Sequence, residues 1–238
     1  MNILITRPVD QCLSFLNKLS KNKFHPFILP LTEILPVEFH LKEYSFDYIV
    51  FTSQNTCKYF LNTLKKFNLE KTQIIAVGTR TADFLRNQGI EVNLIPKEFS
   101  SEGLQHLFIE ENIKNKKILI PGSTIRDKNF ESFCQHNNNY VLSIDIYNTI
   151  PIKYKANYIA SFIKEYAIDV VTLFSPSAAK SLFDQFNFTV APTIKYICIG
   201  KRTALFLKEK GLNPLFPDEF TEDGILNILI KLQRGEIT

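Results

Sequence analysis

No window of the 238-residue sequence approaches the ~20 consecutive apolar residues of a membrane span. The apolar run in the opening MNILITRPVDQ is too short for a signal peptide and is followed at once by Arg7. A cytoplasmic chain is expected. No lysine- and arginine-rich run occurs, and a net charge of +4 with a pI near 8.7 falls short of a nucleic-acid footprint, which calls for a pI above ~9 with clustered cations. A nucleic-acid partner is therefore not expected, although the mild basicity suits an anionic small ligand. There is no C-x-x-C. Cys12, Cys57, Cys134 and Cys198 are scattered, no histidine stands at metal-ligand spacing, and the thiols read as buried groups of a reducing compartment with no metal.

Catalytic signatures are missing too. PGSTIRDK lacks the second glycine and the Lys-Ser pair of a phosphate-binding loop, no G-x-G-x-x-G follows the first strand, and no G-x-S-x-G elbow occurs. His25, His40, His106 and His136 have no recurring acidic or cysteine partner. What is left is a reaction without such a motif, or binding alone.

What is present is alternation. NILIT, DYIVFTS, QIIAVG, KILIPG, VVTLFS and KYICIG each precede an amphipathic stretch, the pattern of βα units around a parallel sheet. The runs are nearly continuous, as in strands covered on both faces. The fold class is α/β, and 45% apolar with 22% charged residues is ordinary for a globular chain.

The chain also repeats itself. GTRTADFLRNQG at 78–89 returns as GKRTALFLKEKG at 200–211, an offset of 122 residues. FTSQNTCKYF at 51–60 returns as LFSPSAAKSL at 173–182, which sets Ser53 on Ser175, and PKEFSSEGL at 96–104 returns as PDEFTEDGI at 217–225. This is a tandem duplication giving two parallel-sheet α/β domains. Two long extended stretches with prolines, FHPFILPLTEILPVEF (24–39) and YVLSIDIYNTIPIKY (140–154), read as strands passing from one domain into the other. The expected division is 1–36 plus 150–238 as a discontinuous domain and 37–149 as the second, with crossovers near 31–38 and 146–153 acting as a two-strand hinge over a cleft.

The repeated polar motifs fall where strands turn into helices, the ligand-binding edge of an open α/β sheet. Ser53 and Ser175, Gly78 with Arg80 and Thr81, Gly200 with Arg202 and Thr203, Gly122 with Ser123 and Arg126, and Arg7 form the candidate anion-binding set. Each helix start offers unpaired N–H groups and a positive dipole end, worth about 0.3–1 kcal/mol to an exposed anion. Ordinary N-capping explains the serines and threonines equally well. Arg80 and Arg202 oppose the dipole and fit a cap less well, leaving ligand contact or a solvated surface position.

Taken in order, LITRP…Q, FTS.N, VG.RTA..L...G, P…SSEGL, ILIPG…R, IYNT.P, FSPSA, IG.RTA..L...G and P…T.DGI resemble uroporphyrinogen-III synthase over essentially the whole length. The resemblance implies a cofactor-independent lyase, a two-domain monomer, that cyclises hydroxymethylbilane, a linear tetrapyrrole with eight carboxylates, with loss of water and inversion of ring D. It implies an azafulvene and then a spiro pyrrolenine on the way to uroporphyrinogen III, in heme biosynthesis. It also implies that Tyr147, in DIYNTIP, helps the hydroxyl leave, that Thr81 and Thr203 lie in the cleft, and that Arg7 and Arg126 stand near it. Packing of the Tyr147 ring against the hinge is the alternative. A hinged binding protein for a polyanionic ligand, without catalysis, is the competing reading of the whole chain.

Overall fold

The computed structural model describes residues 1–186 and 193–237. It divides into two compact units, Met1–Ile34 with Ile150–Thr238, and Leu35–Thr149.

In the first unit, strand β1 (Asn2–Ile5) is flanked by β2 (His25–Ile28) and β8 (Val170–Leu173), and β8 by β9 (Lys195–Cys198), giving the parallel order β2-β1-β8-β9. Side chains of a strand alternate between faces, and here both faces are covered. Ile3 and Ile5 pack with Phe15 and Leu19 of α1 (Leu13–Lys21) and Ile225 and Leu229 of α9 (Glu222–Gln233). Leu4, between them, points the other way. It joins Val171 and Leu173 under α6 (Tyr158–Glu165), α7 (Pro176–Gln185) and α8 (Lys201–Glu209). This is why the strand sequences are unbroken apolar runs. Two buried hydroxyls stitch the centre: Thr6 Oγ1 donates to the Thr172 carbonyl at 2.7 Å, and Thr172 Oγ1 donates to the Leu4 carbonyl at 2.8 Å. Both threonines are fully buried, so each hydroxyl needs the bond it makes.

The five-stranded sheet, which lies in the second unit apart from Thr32–Ile34 and Ile150–Pro151, has the order β3-β7-β6-β4-β5, with β3 (Thr32–Pro36), β4 (Tyr48–Phe51), β5 (Gln73–Ala76), β6 (Lys117–Ser123) and β7 (Tyr140–Pro151). The β4-β5, β4-β6 and β6-β7 pairs are parallel. Val50, Ile118 and Ile120 meet Leu104 and Phe108 of α4 (Ser101–Glu110) and Phe130 of α5 (Asn129–His136). Phe51 of β4 meets Phe60 of α2 (Gln54–Leu64), ring centroids 6.0 Å apart. Helix α3 (Thr79–Asn87) packs beside α2. Each unit closes its sheet edge the same way, with an isolated parallel bridge: Ile75 to Leu94 and Ile197 to Leu215.

The two extended stretches differ from each other. YVLSIDIYNTIP is one continuous strand of 12 residues. FHPFILPLTEILPVEF is two strands, β2 in the four-stranded sheet and β3 in the five-stranded one, with a break at Leu29–Leu31. Pro30 has no N–H to keep a ladder going. Among the described residues no helix is long and apolar enough to cross a membrane.

Candidate functional site

Tyr147 stands where β7 bulges. Across the β6–β7 ladder Gly122 faces Asp145 while Ser123 faces Tyr147, so Ile146 is the additional residue. A bulge re-aims the side chain that follows it, and Tyr147 ends up only 7% exposed. Its carbonyl accepts from the Thr124 N–H at 3.1 Å, and its hydroxyl lies 3.2 Å from Ser53 Oγ. Tyr59, in the second turn of α2, stacks on its ring with centroids 5.7 Å apart and planes inclined by 29°. Offset aromatic contact of this kind holds a ring's orientation as well as its burial.

Ser53 reaches Tyr147 because it caps α2. Its backbone is extended (φ −161°, ψ 161°), and its Oγ accepts from the Thr56 N–H at 3.2 Å. Thr56 Oγ1 is a further 3.0 Å neighbour. Ser175 does the same work for α7, its Oγ accepting from the Ala178 N–H at 3.1 Å. Both serines are thus N-caps at the carboxyl ends of β4 and β8, and one of them also touches a tyrosine hydroxyl.

Gly78 and Gly200 open α3 and α8 at the ends of β5 and β9. Gly78 has φ +102°, a conformation few other residues tolerate. Gly200 is extended and needs no special backbone; there a Cβ would come within 3.1 Å of the Phe220 ring. Phe99 occupies the corresponding place, 3.4 Å from a Cβ on Gly78. Arg80 and Arg202, second residues of these helices, are exposed. Gln54 Nε2 donates to the Arg80 carbonyl at 3.2 Å, which ties the starts of α2 and α3 together. Thr81 and Thr203 face inward instead, 4% and 2% exposed.

Two of the remaining candidates are placed differently from expectation. Gly122 and Ser123 open no helix: β6 runs through Ser123, and the next helix, α5, starts six residues later at Asn129. The proline and glycine in IPGS read as a turn, but the ladder to β7 continues across them with a bulge. Arg126 is already engaged. Its Nε donates to Glu131 Oε1 at 2.8 Å, its Nη1 donates to the Ser123 carbonyl at 3.0 Å, and it pairs with Asp145. Arg7 donates to Glu222 Oε1 at 2.8 Å and lies 4.4 Å from the centre of the Phe174 ring. Glu222, only 2% exposed, accepts from Ser14 Oγ as well, at 2.8 Å.

Sequence reasoning missed Tyr59, Thr56 and Glu222. Thr56 carried a signal, since the third residue of a helix is the one an N-cap serine binds. Tyr59 and Glu222 carried none: an aromatic on an amphipathic helix and an acid in a helix's first turn are both commonplace.

The sequence profile of a family described as uroporphyrinogen-III synthase HemD matches residues 14–227. The porphyrin biosynthesis protein HemD of Ruminiclostridium josui is 24% identical over 247 residues, which cover 99% of this chain and 49% of that protein; the chain spans about half of that relative's length. The uroporphyrinogen-III synthase of Chlorobaculum parvum is 23% identical over 229 residues, covering 92% and 93% of the two chains. Among solved structures, uroporphyrinogen-III synthetase from Helicobacter pylori superimposes with a TM-score of 0.68 at 18% identity, over 97% of this chain and 99% of that one. At that identity the likeness carries the fold.

Proposed function

We propose, on the premise that the chain belongs to the uroporphyrinogen-III synthase HemD family, that it cyclises hydroxymethylbilane to uroporphyrinogen III, inverting ring D with loss of water. The observation that carries this reading is the match of the family profile over 14–227. The geometry around Tyr147 supports it.

The substrate closes unaided to the type I isomer, so an enzyme for this reaction has to hold one geometry and shield cationic intermediates. Orientation is what helix starts supply. The turns at Ser53, Gly78, Ser175 and Gly200 bind substrate carboxylates through backbone N–H groups and the positive helix ends, each worth about 0.3–1 kcal/mol when exposed and up to ~2 kcal/mol when partly buried. Arg80 and Arg202, exposed at two of those starts, add charge, and Thr81 and Thr203 shape the turns from inside. Arg7 and Arg126, whose guanidiniums are paired with Glu222 and with Glu131 and Asp145, hold their turns in shape beside the ligand; Gly122 and Ser123 set the bulge opposite Tyr147. A tenfold preference for one ring closure needs ~1.4 kcal/mol, within reach of two or three such contacts.

Tyr147 gives its proton to the terminal hydroxyl as the C–O bond breaks. The lone pair of the adjacent pyrrole nitrogen moves in to form the azafulvene, water leaves, and the nitrogen's own proton restores the phenol. Attack by the substituted α-carbon of ring D, fragmentation of the spiro intermediate and reclosure follow. No residue needs to act as a nucleophile. The protein works as a cytoplasmic monomer with no nucleic-acid partner. Hydroxymethylbilane added to the folded protein tests the reading: faster consumption than in buffer, with type III product, is expected, and an unchanged rate would refute it.

A further inference from the structure

We propose that Ser53 is the positioning residue for Tyr147, a hydroxyl that turns to donate a hydrogen bond to the phenolic oxygen as Tyr147 gives its proton to the substrate. The proposal rests on the acid role given to Tyr147 above and adds to it a residue so far counted as a cap and a carboxylate contact.

The argument is a count of protons and lone pairs. A serine hydroxyl has one proton and accepts at two positions. One acceptor position of Ser53 Oγ is taken by the Thr56 N–H at 3.2 Å, because that bond caps α2. One proton and one acceptor position are left, and two hydroxyls lie in reach: Thr56 Oγ1 at 3.0 Å and Tyr147 Oη at 3.2 Å. Ser53 can therefore donate to one while accepting from the other, in either direction. In the first arrangement Tyr147 donates to Ser53 and Ser53 donates to Thr56. In the second Thr56 donates to Ser53 and Ser53 donates to Tyr147, so that the phenol's proton is turned outward to the leaving hydroxyl.

Passing from one to the other moves no heavy atom. Thr56 is fully buried and Tyr147 is 7% exposed, so bulk water does not offer an easy substitute for this donor. The stacked Tyr59 ring keeps Tyr147 in line. As the phenolic O–H bond breaks, the oxygen gains negative charge beside the N-terminus of α2, whose dipole favours it, and the Ser53 proton meets that charge.

A cap alone and a hydrogen-bond-donating cap are separable by substitution. Asp caps a helix as well as Ser does but brings no proton. Thr brings both. With urea midpoints checked so that only folded protein is compared, Ser53→Asp is expected to lower kcat for type III formation by about 10- to 100-fold, and Ser53→Thr to recover most of that loss. In a Tyr147→Phe background Ser53→Asp should lower kcat no further. Equal kcat for the Asp and Thr variants would overturn the proposal, and so would an Asp effect of the same size with Phe at 147. The reading beneath it fails differently: wild-type protein would make no excess type III product, or Tyr147→Phe would be as fast as wild type.

Discussion

Arg7 Nη1 and Glu222 Oε1 lie 2.8 Å apart across 215 residues of sequence, and the carboxylate is only 2% exposed. The pair joins the turn after β1 to the first turn of α9, with the guanidinium also over Phe174. Removing one partner of a buried pair strands the other charge, at a cost of about 3–5 kcal/mol. Arg7→Met should therefore lower the urea midpoint sharply, with Ser14 Oγ still donating to Glu222. Adding Glu222→Leu should recover most of the loss. If Arg7→Met unfolds no more easily than wild type, the pair is not holding this turn.

The glycine in each of the repeated segments SSEG and TEDG is fixed by contact. A Cβ on Gly224 would overlap the Glu219 carbonyl oxygen and lie 2.8 Å from Pro217 Cβ, and a Cβ on Gly103 would overlap the Glu98 carbonyl oxygen. Neither backbone can retreat, because Ser100 and Thr221 cap these helices through the N–H groups of Gly103 and Gly224, at 3.0 Å each. Gly103→Ala and Gly224→Ala should each cost about 1–3 kcal/mol, the range for overpacking. Alanine at Gly89, where a Cβ would meet nothing but φ is +74°, serves as a strain-only comparison. Denaturant midpoints that fail to separate the contact glycines from Gly89 would count against the explanation.

These glycines show what kind of information the sequence carried. Strands such as NILI were legible because both faces are covered, and the caps Ser53 and Ser175 because a helix start has a local grammar. The course of the chain at IPGS and HPFILPLT was not. Pro121 and Gly122 suggested a turn where the ladder to β7 persists, and Pro30 broke a stretch that read as one strand. The contacts that define the site were beyond reach for a different reason. Ser53 and Tyr147 are 94 residues apart, and nothing in either segment specifies the other; the bulge at Ile146 that brings them together is a property of the paired strands.

Ser175 gives a control for Ser53. It caps α7 through the Ala178 N–H. Ser175→Ala should cost about 1 kcal/mol in stability and, if the α7 start holds a substrate carboxylate, raise KM severalfold while leaving kcat nearly unchanged. A fall in kcat at constant KM would assign Ser175 to the transition state instead.

Burial pushes the thiols of Cys57, Cys134 and Cys198 up to about 12 and that of Cys12 to about 11, from an ordinary 9.0, with Arg7 partly opposing the effect at Cys12. At pH 8 the native protein should react with a thiol reagent at none of its four cysteines, and at all four in urea. Between pH 9.0 and about 11 the unfolded chain loses thiol protons that the native chain keeps, so the unfolded state binds fewer protons and stability falls as pH rises. The urea midpoint should drop over that range, and the drop should be shallower in Cys57→Ala/Cys134→Ala. Rapid labelling of the native protein at pH 8 would contradict the burial.

The central claim is that this chain sets which isomer forms. Hydroxymethylbilane generated in place, incubated with the folded protein, oxidised and separated by chromatography yields the ratio of type III to type I uroporphyrin. Predominantly type III product is predicted, with Tyr147→Phe slower but still selective if the turns at Ser53, Gly78, Ser175 and Gly200 orient the substrate as proposed. Type I product in the proportion found without protein would contradict the claim and leave a polyanion-binding protein built on the same α/β units.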